Sequence, residues 1–403
     1  MTDSPSVIRG RAATVLEAGT ALRATCIGER AHWLAEASKA LAQHAIAAGP
    51  ELSEATGLSI PMIAWASRTT LDTIREDTML ALARKAARHS RRTTDPIAML
   101  SVVLAGNVFT ASVRGIFVPL LFGVPVLVKA SSKETCFSAM LRRALHQVDA
   151  SLGPAMNLVA FPGGDVECEA VLAEHAESIS IYGSDDTVAV MAARLGNLPL
   201  ITHGHGVSVA YCGAYALDDA QIDNTIADLS LDICAYDQRG CLSPQLVYVE
   251  QTPACSVEDF AERLAMEGLD TMNRRLPRGP LPISVGAEQA QWRGIAEVEG
   301  NLIHGDTYAL AIRPPQPLRW SPGYRNVTLA PVGGLDEALH AMKPIGPSLK
   351  CVGADPGSIS EMQARLARSQ VLEAYASALG TMQTPLLDAP ADGQPIWHGL
   401  FRN

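Results

Sequence analysis

The sequence predicts an α/β protein of two domains, and three observations lead there. From residue 95 to about 205, short apolar runs alternate with helix-type runs, the rhythm of βαβ units on a parallel sheet. A second series of strands and helices starts near Gly206. The 403 residues, 48% hydrophobic and 18% charged, are too many for one ordinary core and apolar enough for two.

Residues 1 to about 90 read as helices, because Ala, Leu and Arg dominate and Pro is rare inside the runs. MLSVVLAG is a strand, followed by an apolar helix and a second strand, VPVLVKAS. Together Ile97 to Val128 mimic a membrane span, but Asn107, Arg114, Pro119, Gly123 and Pro125 interrupt it, and a span needs about 20 mostly apolar residues. A buried strand–helix–strand is the better reading. SSKETCFSAMLRRALHQVDASLG opens on cap-type serines and closes on glycine, so it is a helix. NLVAFPGG is a third strand and DVECEAVLAEH a helix; ESISIYG is a fourth strand and SDDTVAVMAARLG a helix; LPLITHG is a fifth strand. This is a nucleotide-binding type of layout.

In the second series, VSVAYCG is a strand. The next helix carries Ile222, Ile226, Leu229 and Ile233 on one stripe. QLVYVE and SLKCVG are strands, and Pro277 to Pro282 and Pro314 to Pro322 are loops. A long helix is expected from Ser358 to Leu379, ended by Gly380. The expected division is a helical region plus nucleotide-binding domain over 1–205, a catalytic domain over 206–345, and a segment over 346–403 that returns to the cofactor domain or to an oligomer interface.

Composition excludes several classes. Net charge is −10 and no Lys/Arg run occurs, so nucleic acid is not an expected partner. None of the eight cysteines forms a C-x-x-C pair, which disfavours zinc ribbons and thioredoxin-type motifs. The N-terminus lacks an apolar signal core, so a cytoplasmic protein with reduced thiols and no membrane span is expected. No P-loop and no G-x-G-x-x-G after a strand is present.

Several residues stand where chemistry occurs. Cys241, in AYDQRGCLSPQLVYVE, lies in a turn between a helix and a strand, with Gly240 beside it to let a ligand approach. A buried, inert thiol is the competing reading. His203 and His205 in HGHG, spaced by two on a strand, would point the same way. No third ligand stands nearby, so no metal is expected, and they read as hydrogen-bonded structural histidines or as catalytic ones. Lys129 ends a strand where open α/β sheets bind ligands, or else it snorkels to the surface. Ser184 opens a helix directly after a strand, a phosphate-binding place, although Asp185 and Asp186 also suit plain capping.

AGNVFTASVRGIFVPLLFGVPVLVKASS, ESISIYGSDDTV, DQRGCLSPQLVYVE and NVTLAPVGGLDEAL, in this order, resemble the aldehyde dehydrogenase superfamily. More closely they resemble the bacterial acyl-CoA reductases of the bioluminescence fatty-acid-reductase type, over about residues 95 to 400, and the tail LGTMQTPLLDAPADGQPIWHGLF fits too. The resemblance implies an aldehyde dehydrogenase-like fold, with a Rossmann-type cofactor domain and a smaller α/β catalytic domain. It implies Cys241 as nucleophile and the Asn107 amide in the oxyanion hole. Lys129 is implied at the cofactor ribose or its 2′-phosphate, with Ser131 or Ser132 beside it, and Gly183 and Ser184 at the pyrophosphate. A homo-oligomer is implied as well.

One departure carries weight. Hydrolytic relatives hold a glutamate base where this chain has Thr202, His203 and Gly204. Without that base, water attack on an acyl-enzyme is poorly served. NADPH-dependent reduction of an acyl thioester, on coenzyme A or on an acyl carrier protein, is therefore expected to give an aldehyde. His203 or His205 would exchange the proton at collapse. Three rivals stay open: an aldehyde dehydrogenase working oxidatively, a catalytically dead relative serving as a complex subunit, and a metal hydrolase built on HGHG.

Overall fold

The computed structural model describes residues 2–89, 95–106, 108–196 and 198–402. The chain divides into two compact units. The first comprises Met1–Thr56, Ile63–His205 and Leu386–Asn403; the second comprises Gly57–Met62 and Gly206–Pro385.

Five helices lead: α1 (Pro5–Ala24), α2 (Ile27–Ala47), α3 (Gly49–Thr56), α4 (Ile60–Leu71) and α5 (Glu76–His89). Then strands and helices alternate as the pattern predicts: β1 (Leu100–Val103), α6 (Ser112–Leu121), β2 (Val126–Lys129), α7 (Cys136–Val148), β3 (Met156–Val159), α8 (Val166–Glu174), β4 (Ser178–Tyr182), α9 (Asp185–Leu195) and β5 (Leu200–His203). The five strands form one sheet in the order β3-β2-β1-β4-β5, every pair parallel. The order reverses between β1 and β4, which makes their ends the switch point where such sheets bind ligands. The apolar stretch 97–128 folds as the buried β1–α6–β2. No described helix is long and apolar enough to cross a membrane.

Helix α1 buries a stripe of Ile8, Ala12 and Val15 in a cluster with Met99, Leu127, Val159 and Ile179. These steps of four and three residues keep one helical face on the sheet. Arg30, buried, donates to the carbonyls of Leu22, Thr25 and Leu121, so it closes the ends of two helices.

The second unit holds a seven-stranded sheet: β6 (Val207–Cys212), β7 (Pro244–Glu250), β8 (Leu302–His304), β9 (Ala309–Ile312), β10 (Asn326–Val332), β11 (Leu349–Ala354) and β12 (Tyr375–Ala378). The order is β12-β11-β6-β7-β10-β9-β8, and only the edge strand β8 runs antiparallel to its neighbour. Helix α10 (Ile222–Cys234) follows β6, and its four-residue stripe is buried as its spacing predicts. Next come α11 (Val257–Arg263), a π-turn over Leu264–Leu269, α12 (Asp270–Arg275), α13 (Ile283–Val298), α14 (Leu335–Met342) and α15 (Ile359–Ala367).

The structure corrects two expectations. The long helix over 358–379 ends at Ala367, and Tyr375–Ala378 form β12 beside β11. The Ser369 hydroxyl accepts from the Val371 and Leu372 amides, which turns the chain out of the helix. Pairing with β11 then overrides the helical composition of LEAYASA. The return to the first unit begins at Leu386 rather than at 346, because β11 and β12 extend the second sheet.

Leu127 is fully buried in the central part of the first sheet. Leu127→Ala is expected to cost about 3 kcal/mol of folding stability, read as a lowered midpoint in urea unfolding with an unchanged slope.

Candidate active site

Because the first sheet is wholly parallel, all its strands deliver their C-terminal residues to one edge. Lys129 closes β2, paired with Val103 on one side and Val159 on the other. It is 8% exposed, and its Nζ lies 5.1 Å from the Phe161 ring centroid. The surface-lysine reading therefore fails. Burial lowers the Lys129 pKa, and the Glu169 carboxylate opposes that shift. Glu169 is itself held by Arg194 at 2.7 Å and by the Gly164 amide at 2.9 Å.

Ser131 is buried and accepts from the Lys133 amide, while Ser132 is exposed. The turn after β1 comes close here: a side chain at Gly106 would place its Cβ 2.5 Å from Ser131 Oγ. Gly106 thus keeps the two loops together. Asn107, the next residue, lies outside the described residues.

At the end of β4, the Gly183 amide donates to the His203 carbonyl at 3.2 Å. Ser184 caps α9, its Oγ accepting from the Thr187 amide at 3.2 Å. Asp185 and Asp186 fill the first turn of that helix.

The histidine pair differs from expectation. β5 ends at His203, so His205 lies past the strand and the two do not share a strand face. His205 is exposed, and its backbone amide donates to Asp185 Oδ1 at 2.8 Å. His203 is enclosed. Its ring stacks on Tyr182, with centroids 4.1 Å apart and planes at 21°. Its Nδ1 lies 2.6 Å from Asp392 Oδ2. Asp392 reaches it from a tight two-residue turn. Ala391 and Gln394 exchange both backbone hydrogen bonds at 2.9 Å, and Asp392 and Gly393 take φ of 50° and 72°. No local pattern signals this carboxylate, which stands 189 residues from the imidazole. The Asp-Gly pair is legible only as a turn.

The second unit carries Cys241. Cys168, Cys212, Cys234, Cys255 and Cys351 are buried. Burial pushes the Cys168 and Cys234 thiols up to about 11 and raises those of Cys212, Cys255 and Cys351 as well. Cys26 is exposed but caps α2, its sulfur accepting from the Glu29 amide. Cys136 is half-buried against Glu51. Cys241 is exposed, in the turn between α10 and β7, so the buried-filler reading fails for it.

That turn has an unusual approach. Tyr236, Asp237 and Gln238 take φ of 53°, 54° and 57°, three successive non-glycine residues in the left-handed region. Each such residue costs on the order of 1 kcal/mol and persists only where its surroundings fix it. They are fixed. Asp237 Oδ1 accepts from Arg325 Nη2 at 2.7 Å, and Oδ2 accepts from the Gly279 amide at 3.0 Å. Gln238 Nε2 donates to the carbonyls of Pro244 at 2.8 Å and Asn326 at 2.9 Å. Beyond the turn, Ser208 Oγ donates to the Cys241 carbonyl at 2.7 Å, and the Ser243 amide donates to the Gly240 carbonyl at 3.0 Å. DQ-x-x-C is visible as a motif in the sequence; its partners Arg325 and Ser208 are not.

A sequence model described as acyl-CoA reductase (LuxC) matches residues 52–393. Among solved structures, the chain is similar to aldehyde dehydrogenase 21 from Physcomitrella patens, at 16% identity and TM-score 0.72, covering 97% of this chain and 86% of that one. It is also similar to an aldehyde dehydrogenase from Brucella melitensis biovar abortus, at 13% identity and TM-score 0.71, covering 94% and 82%. A third is the NADP-dependent glyceraldehyde-3-phosphate dehydrogenase of Bacillus halodurans, at 15% identity and TM-score 0.64, covering 94% and 84%. No curated protein sequence matches. The fold is that of the aldehyde dehydrogenases, and this chain belongs to the acyl-CoA reductase (LuxC) family.

Proposed function

We propose that this protein reduces an acyl thioester, borne by coenzyme A or an acyl carrier protein, to an aldehyde with NADPH, through an acyl group held on Cys241. The observation that carries this reading is the exposure of Cys241 in a turn fixed on both sides, in a chain of the acyl-CoA reductase family.

The thiolate is a strong nucleophile and a good leaving group. The sulfur lone pair forms the bond to the acyl carbon. The bond from that carbon to the carrier sulfur breaks, and the carrier leaves with the electron pair and takes up a proton. The Cys241 backbone N–H would serve the oxyanion, an effect worth about 3 kcal/mol where such a donor has been removed elsewhere.

The edge of the first sheet suits a nicotinamide dinucleotide. Lys129 is a buried cation with a strand end behind it, and Gly106 lets the turn after β1 pack against Ser131, which draws the ends of β1 and β2 together. Lys129, with Ser131 and Ser132, would hold the ribose phosphate, and Gly183 with Ser184 the pyrophosphate. When bound, the cofactor supplies the hydride that takes the acyl group to the aldehyde level. Cys241 then departs from the product carbon as the thiolate, ready for another acyl group. His203, its Nδ1 held by Asp392, would accept through Nε2 the hydroxyl proton of the thiohemiacetal as its C=O forms and the Cys241 thiolate leaves.

Asp392 also favours a second reading. It brings a carboxylate to His203 where the local sequence has none, and a His–Asp pair can activate water. Release of free acid from an aldehyde and NAD(P)⁺, with no thiol present, would select oxidation.

Three outcomes are expected. Wild type consumes NADPH with a panel of acyl-CoA thioesters and yields a trappable aldehyde, whereas Cys241→Ala falls to background; NADPH consumption by Cys241→Ala at the wild-type rate would sink the assignment. Lys129→Met raises the KM for NADPH about tenfold or more. The same change is expected to stabilise the cofactor-free protein at neutral pH, because burial disfavours the Lys129 charge. The sign follows from the lowered pKa: the folded state binds fewer protons at Lys129 than the unfolded chain does. The penalty is therefore full below the lowered folded value and is lifted as pH rises toward the ordinary 10.5. Thermal unfolding against pH, with and without the substitution, checks it.

A further inference from the structure

We infer that the buried Asp237–Arg325 pair is the positioning device for the Cys241 thiol. The inference rests on Cys241 being the nucleophile.

Arg325 is 0% exposed and Asp237 is 2% exposed. A pair this buried is weak evidence for stability, since apolar residues of similar volume often serve a core as well. Its contacts point instead to geometry. Arg325 Nη2 donates to Asp237, to the Leu276 carbonyl at 2.8 Å and to the Cys234 carbonyl at 3.4 Å, while Nη1 donates to Asn273 Oδ1 at 2.8 Å. One guanidinium therefore ties the end of α10 to α12 and to the loop behind it. The planar fork fixes all these directions at once. Arg325 itself sits at φ 69°, next to Tyr324 at 53°. Two strained backbone runs, 236–238 and 324–325, thus meet at one ion pair. Gln238 repeats the link by donating to the Asn326 carbonyl. Strain gathered in this way, immediately before an exposed thiol, marks a turn whose conformation is imposed.

Downstream, Ser208 is 0% exposed and holds the Cys241 carbonyl. Cys241 therefore hangs between two buried anchors: the ion pair at Asp237 and the hydroxyl on β6. Loosening the first leaves the thiol present and exposed but out of register with an acyl carbon. Asp237 and Arg325 do not touch the reacting atoms; they act through the turn.

The test uses p-nitrophenyl acetate, an activated acyl donor that needs neither the cofactor nor the right chain length. The Cys241 sulfur bonds to the acetyl carbon, the ester C–O bond breaks, and p-nitrophenolate leaves with the electron pair. The first-turnover burst is measured for the full-length protein. Arg325→Lys keeps the charge but gives up the fork, and the double variant D237N/R325M removes both charges. Thermal unfolding and iodoacetamide labelling of Cys241 run beside them. The folded variants are expected to melt cooperatively and still label at Cys241, while the burst rate falls on the order of tenfold to a hundredfold. A folded variant with a wild-type burst rate overturns the inference. Should neither fold, Asn273→Ala keeps the pair but removes one arm of the fork: a slowed burst supports the inference, and a wild-type burst overturns it. Cys241→Ala separates the two readings. If it retains the burst, the nucleophile is wrong and this inference falls with it. If it loses the burst while Arg325→Lys keeps it, the positioning role alone is wrong.

Discussion

Strand direction sets the layout of the first sheet's C-terminal edge. Five parallel strands cannot scatter their ends; each must finish at the same edge, and each crossover must run back through a helix. That single constraint gathers Gly106, Lys129, Ser131, Gly183, Ser184 and His203 from a long stretch of chain. None of them needs a neighbour in sequence to be a neighbour in space. The glycines at two of these strand ends serve packing within the protein: a side chain at Gly106 would meet Ser131 and Lys133, and one at Gly183 would meet Thr187.

The second unit obeys a different logic. Its sheet provides a platform, but the turn before Cys241 is held by side chains. Asp237, Gln238, Arg325 and Ser208 are all buried, and each spends its hydrogen bonds on keeping backbone in place. Removing one member of such a buried set strands the charge or donor it was holding, so the pair Asp237–Arg325 tolerates single substitution poorly. The contrast with the other cysteines is chemical as well as spatial. Five thiols sit in apolar surroundings that keep them protonated, whereas Cys241 stands in the open on an imposed conformation.

The fold is legible wherever periodicity speaks. The apolar run 97–128, broken by Arg114 and two prolines, reads as strand–helix–strand, and so it folds. The stripe Ile222–Ile226–Leu229–Ile233 is buried as spaced. Legibility fails where tertiary pairing outweighs composition, as in β12, whose residues favour a helix yet pair with β11. It fails again where a step of one residue ends an element, as at His203, beyond which His205 leaves the strand. Of the candidate site, the motif-borne residues Cys241, Lys129 and Ser184 are visible. Their supports are not, because Asp392, Arg325 and Ser208 are linked to the site only through space. No local pattern in one sequence encodes a partner so far along the chain.

The first unit is discontinuous, and this orders its folding in time. Residues from Leu386 onward belong to it. They clip on through the Arg114 side chain to the Ala389 carbonyl, through Lys85 to Asp388, through His203 to Asp392, and through a bridge from Pro96 to Phe401. The sheet of this unit is encoded long before those residues, while the second unit lies between. During synthesis the nucleotide-type sheet must therefore wait, with Ser180, Tyr182 and His203 still lacking their cover, until the whole intervening unit has been made. The segment from Leu386 onward closes the first sheet formed, so the imidazole at the end of β5 acquires its carboxylate only after the intervening unit has been synthesised. The chemistry proposed for His203 is in this sense gated by synthesis of the segment that carries Asp392.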